Sequence, residues 1–131
     1  MKQLKPLVIL SLISGFNLSI THSAEPPVSA QPPTHRELLE LLSGNSTKGI
    51  WDKKHYLQYF DRNRSTRYQE EGRRPSNGIW RVNQQGQYCS IWPPSSFEVC
   101  YDLLVDGTQI YWKSGDHYQP ASLIQGNIFN Q

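Results

Sequence analysis

The two cysteines place the tightest limit on how this chain can fold. Cys89 and Cys100 flank a turn in Tyr88-Cys89-Ser90-Ile91-Trp92-Pro93-Pro94-Ser95-Ser96-Phe97-Glu98-Val99-Cys100-Tyr101. Aromatic and β-branched residues lead into the Pro/Ser turn and out of it, the pattern of two paired strands. A two-residue turn at Pro94-Ser95 sets Trp92 opposite Phe97 and Cys89 opposite Cys100. Opposed Cα atoms in an antiparallel pair lie about 4.5–5.5 Å apart, inside the roughly 4.4–6.8 Å that a disulfide spans. Register and chemistry therefore agree on a hairpin closed by Cys89–Cys100. Alternation along 97–105 assigns Phe97, Val99, Tyr101, Leu103 and Val105 to the core face, and Glu98, Cys100 and Asp102 to the outer face. A redox or nucleophilic thiol needs a Cys-x-x-Cys motif or a Cys–His pair, and neither is present.

A disulfide implies an oxidising compartment, and the first residues read as an export signal. Met1-Lys2-Gln3-Leu4-Lys5 is a short basic head, followed by an apolar stretch from Leu7 to Ile20 softened by Ser, Gly and Asn. That stretch is short for a membrane span, and the small residues after it predict cleavage after Ser23 or Ala24. The expected home is the periplasm or the outside of the cell. The whole chain has a formal net charge of +2. Lys2 and Lys5 leave with the signal, so the mature chain is formally neutral and lacks the basic excess that nucleic-acid binding requires.

The expected organisation is a signal at 1–23, a Pro-rich mobile leader at 24–33 and a single domain at 34–131. Thr34-His35-Arg36-Glu37 matches a helix capping box, Leu38, Leu39, Leu41 and Leu42 form an apolar stripe, and Gly44 is placed to end the helix. Beyond it the pattern is β, with strands expected near 46–51, 55–60, 66–71, 78–83, 87–92, 97–105, 109–113 and 118–124. Asp106-Gly107 is the strongest hairpin signal. The fold class predicted is mainly β: a small antiparallel barrel or sandwich of seven to eight strands with one short N-terminal helix.

No catalytic constellation is visible. His35, His55 and His117 show no metal-site spacing, no serine has a nucleophile-elbow context, and Glu70-Glu71 point to opposite faces of a strand. The chain is therefore expected to be non-enzymatic and to need no cofactor or metal. All arginines except Arg36 fall in 62–81, interleaved with Tyr59, Phe60, Tyr68 and Trp80. Arg62, Arg64, Arg67, Arg73 and Arg74, with Trp92 and Phe97 at the hairpin tip, form the expected binding surface. Gly-Ile-Trp occurs twice, at 49–51 and 78–80, and reads as a common strand start.

Leu41-Leu42-Ser43-Gly44-Asn45-Ser46, Tyr56 with Tyr59-Phe60, Gly78-Ile79-Trp80-Arg81-Val82, Tyr88-Cys89-Ser90, Cys100-Tyr101 and Gly126-Asn127 follow in an order that resembles domain of unknown function 995, a family of small exported bacterial proteins. The chain departs from that pattern at Asp61-Arg62-Asn63-Arg64 and at Trp92-Pro93-Pro94. The resemblance implies a periplasmic or secreted home and no catalytic residues. Two functions are expected from these observations. The first is an exported binding module for a protein or envelope component, most concretely an inhibitor of a lytic enzyme. The alternative is a lipocalin-like carrier of a small apolar ligand, marked by a cavity lined by Trp51, Tyr59, Trp80 and Tyr101.

Overall fold

The computed structural model describes residues 25–130, and the expected export signal lies outside them. Among these residues one helix, α1 (His35–Leu42), precedes the sheet. The Thr34 hydroxyl accepts a hydrogen bond from the Glu37 N–H at 3.2 Å, capping the first turn. Leu38 and Leu42, one turn apart, are fully buried. A helix this short is unstable alone in water, so its burial against the sheet is what holds it. Gly44 then takes φ +78°, which costs least for glycine, and its N–H donates to the Phe60 carbonyl at 2.7 Å.

Nine strands follow: β1 (Ser46–Trp51), β2 (Lys54–Phe60), β3 (Ser65–Glu70), β4 (Ser76–Val82), β5 (Tyr88–Ile91), β6 (Glu98–Tyr101), β7 (Leu103–Asp106), β8 (Gln109–Ser114) and β9 (His117–Ile124). They form one antiparallel sheet in the order β6-β5-β4-β3-β2-β1-β9-β8-β7, curled into a nearly closed barrel. Strand positions match the expected pattern closely. The count differs because 97–105, expected as one strand, is two. β6 pairs with β5, β7 pairs with β8, and Asp102 stands between them, where the chain leaves one edge of the sheet and joins the other.

The hairpin register is the expected one: Cys89 is opposite Cys100 and the disulfide is formed. The ladder stops at Ile91–Glu98, however, and Trp92 to Phe97 open into a loop in which the Ser95 N–H donates to the Trp92 carbonyl at 3.0 Å. The core face expected for this strand holds for Leu103, which is buried, and not for Phe97 and Val99, which are 80% and 46% exposed. Phe97 lies in the loop, and β6 is an edge strand with β5 as its one ladder partner, so nothing packs over either side chain. The Asp-Gly hairpin forms one residue later than expected, with Asp106 paired to Gln109 and Gly107-Thr108 as its tip.

The end of the segment expected to be a mobile leader is docked. Gln31 and Val105 exchange both backbone hydrogen bonds, at 3.0 and 2.8 Å, and Ala30 is buried. At Gly86 a Cβ would lie 2.7 Å from the Pro33 carbonyl oxygen, so only glycine lets the β4–β5 turn approach this closely. Residues 30–35 thus strap the outside of the barrel between β7 and the β4–β5 turn. The disulfide closes a short loop and mainly constrains the unfolded chain. Replacing both cysteines with serine is expected to lower the unfolding free energy by about 3 kcal/mol, measured by urea denaturation under non-reducing conditions.

Candidate functional site: an aromatic cavity at the open end

The two ends of the barrel are filled differently. At the helix end, Leu38 and Leu42 pack with Phe60, Trp80, Val82 and Ile110 into a continuous apolar core. Phe60 meets Trp80 and Tyr88 edge-on, each with ring centroids 5.6 Å apart, and the Trp80 indole N–H donates to the Asp61 carbonyl at 3.0 Å. The opposite end is left open, with a cavity of about 370 Å³, within the size range of small-molecule sites.

Strand alternation places each wall residue. On β2, Tyr56, Gln58 and Phe60 point inward and are buried. Phe60 belongs to the apolar core, while Tyr56 and Gln58 line the cavity with Tyr88 and Ser90 from β5 and Trp112 from β8. These five are buried and form its floor. Half-buried Trp51, Tyr68, Glu70, Trp92 and Tyr101 form the walls, and exposed Ser76 and Pro93 form the rim. The rings touch in a chain around the space. Tyr56 stacks on Tyr68 at 5.2 Å, Tyr68 meets Trp92 at 5.9 Å, Tyr88 meets Trp112 at 5.2 Å, and Trp51 meets Tyr101 edge-on at 5.4 Å across the mouth.

Trp92 is not the outward aromatic tip expected of this hairpin. Its ring folds back over β4, and its indole N–H donates to the Ser90 hydroxyl at 3.0 Å. Gly78 permits this: a Cβ there would lie 2.7 Å from the Trp92 ring. The polar floor is only partly satisfied. The Gln58 amide donates to the Tyr88 hydroxyl at 2.9 Å and to the Thr66 hydroxyl at 3.0 Å. Trp112 Nε1 and Thr47 Oγ1 are buried with no hydrogen-bond partner among the described residues.

Burial controls the tyrosines. Desolvation pushes the Tyr56 phenol up to about 12, against the opposing pull of the neighbouring Thr47 and Trp112 side chains. That pull falls short of good hydrogen-bond geometry, which is why the atoms of Thr47 and Trp112 remain unpartnered. Desolvation likewise takes Tyr88 up to about 12, opposed by Ser90, Gln58 and Thr66. Tyr68 is raised first by burial and then by the charge of Glu70, whose carboxylate accepts its hydroxyl at 3.3 Å. The cavity is therefore lined by neutral phenols at physiological pH. Among the described residues, Glu70 is its one charged lining group.

The arginines do not form one surface. Arg62 and Arg64 lie in the β2–β3 turn at the helix end, with Arg62 against Gly44 and the Arg64 guanidinium 5.3 Å from the centre of the Trp80 ring. Arg67 faces outward from β3 over Phe129, at 5.2 Å. Arg73 and Arg74 lie in the β3–β4 turn at the other end of β3, with Arg73 3.5 Å from Glu70. Arg81 reaches across β5 to make a two-point ion pair with Glu98, at 2.6 and 2.8 Å. Phe97 is exposed beside the rim, on its own. Of the residues expected to mark a carrier cavity, Trp51 and Tyr101 line it, Trp80 belongs to the core below, and Tyr59 faces outward between inward-facing Gln58 and Phe60. Tyr56, Gln58, Tyr68, Glu70, Tyr88, Ser90 and Trp112 were not singled out by sequence. The readable signal was the alternation in β2, which sets a glutamine on the same face as two aromatics.

Cys89, Glu98 and Cys100 bring their sulfur and carboxylate atoms within 4.8 Å of one another. Both sulfurs are committed to the disulfide, so no thiolate is offered to a metal. Among the described residues, no helix is long and apolar enough to cross a membrane. No family model, curated protein or solved structure matches the chain.

Two outcomes test this geometry. For Tyr56 and Tyr88 the folded chain holds the proton more tightly than the unfolded chain, which titrates near 10.0. Their contribution to stability is intact below pH 10 and is lost as the pH rises towards about 12. Tyrosinate absorbance should show at least three phenols, Tyr56, Tyr68 and Tyr88, that ionise late and together with alkaline unfolding. Gly78→Ala would set a Cβ 2.7 Å from both the Trp92 ring and the Ile91 carbonyl, so it should push the ring out, shifting tryptophan emission to longer wavelength, and lower the unfolding free energy.

Proposed function

We propose that this chain is an exported, non-enzymatic barrel that binds a small organic molecule in the aromatic cavity at its open end. One observation carries this reading. The inner face changes from a solid apolar core at the helix end to polar-tipped rings around about 370 Å³ of space at the other. Small-molecule sites have this composition: aromatic walls with a few placed polar groups that fix orientation. The alternative of docking a protein through an arginine-rich surface loses its support, because Arg62 and Arg64 lie at one end of β3 and Arg73 and Arg74 at the other. The Cys89–Cys100 disulfide supports an exported location. The resemblance to domain of unknown function 995 names no site residue and leaves this reading as it stands.

The test is saturable uptake of N-phenyl-1-naphthylamine, a neutral aromatic probe whose fluorescence rises on leaving water. One molecule per chain is expected, with quenching of tryptophan emission. Ser76→Trp, a change at an exposed rim position, should weaken uptake at least about tenfold, equivalent to about 1.4 kcal/mol. No saturable uptake by the native chain, or full uptake by the rim variant, would count against the cavity.

A further inference from the structure

We infer that the natural guest of the cavity is an organic ammonium ion, with the aromatic walls and Glu70 holding the cation; this rests on the cavity being a ligand site. Three features converge on that chemistry. Among the described residues, no lysine, arginine or histidine lines the space, so a buried carboxylate or phosphate would have no positive partner there. Ring faces carry partial negative charge, and cages of tyrosine and tryptophan attract ammonium groups, most strongly when water is excluded. The stacked Tyr56–Tyr68 pair and the Trp51–Tyr101 pair provide such rings on the floor and walls.

Glu70 supplies the third feature. Its carboxylate is half-buried in the wall, with Oε1 accepting from Tyr68 at 3.3 Å. Its other oxygen pairs with two solvent-exposed cations, Arg73 Nε at 3.5 Å and Lys54 Nζ at 3.8 Å, with side chains 69% and 50% exposed. Such contacts compensate a charge weakly. A neutral guest packed against this wall would remove water from the carboxylate and give nothing back, whereas an ammonium guest would replace that hydration with a charge partner.

Choline and 3,3-dimethylbutan-1-ol have the same shape and hydroxyl and differ in charge alone, so their affinities isolate the cation. Calorimetric titration of the full mature chain at low salt should show choline binding at least about tenfold more tightly than the alcohol. Glu70→Gln should weaken choline about tenfold, and Lys54→Ala, which removes a competing cation, should strengthen it severalfold. Equal or tighter binding of the alcohol, or displacement of N-phenyl-1-naphthylamine by neither compound, would overturn the ammonium inference and leave the cavity as a site for neutral guests. Failure of the naphthylamine itself to bind would instead overturn the cavity reading.

Discussion

The barrel depends on how its two sheet edges are joined at Asp102. β6 belongs to one edge and β7 to the other, so the strand that carries them crosses the seam and exchanges β5 for β8 as its partner. Asp102 is bonded to both sides at that crossing. Its carbonyl accepts from the Lys113 N–H on β8 at 2.9 Å, and its carboxylate accepts from the Gln87 amide beside β5 at 3.0 Å. A sheet that curls this far would otherwise expose two rows of unpaired backbone groups. The crossing leaves a gap on each side of Asp102, and the two gaps are filled by different means. Towards the helix end, Gln31 adds to the edge of β7 and Pro33 lies against Gly86. Towards the mouth, the seam is spanned by side chains, with Trp51 meeting Tyr101. One end is therefore closed by backbone and the other by side-chain rings.

That asymmetry decides what the interior can be used for. A core built for stability alone fills space with groups that need no hydrogen bonds, as Leu38, Leu42, Phe60, Val82 and Ile110 do at the closed end. At the open end the inward positions are Tyr, Trp, Gln and Ser, whose polar tips must each find a partner or lose about 1–3 kcal/mol. Gln58, Thr66 and Tyr88 satisfy one another, and Trp92 satisfies Ser90.

Much of the fold was legible because its signals are local. The capping threonine, the two-residue period of the strands and the opposed cysteines each depend on a few neighbouring positions, and each appears where expected, while the turns at 94–95 and 106–107 lie close to their expected places. The seam was not legible, since 97–106 alternates without interruption through Asp102 and the exchange of partners depends on barrel closure. Without the seam, the docking of Gln31 and Pro33 could not be foreseen either. For the site, Trp51 and Tyr101 were found as members of an aromatic set, but Glu70 read as half of an adjacent carboxylate pair. Only its place beside Tyr68 in the barrel wall gives it a role. Arginine spacing misled because turns at opposite ends of one strand are close in sequence and far apart in space.

The floor of the cavity also keeps a costly group. Trp112 is 5% exposed and packs edge-on against Tyr88, a task phenylalanine performs with no polar atom to satisfy. Its N–H instead lies buried beside Tyr56 and Thr47 without a partner. A domain of this size has a net stability of about 5–15 kcal/mol, so an orphaned donor takes a noticeable share of it. The polar tips of Trp112, Tyr56 and Thr47 meet beneath the open end, while the closed end buries side chains that need no partner.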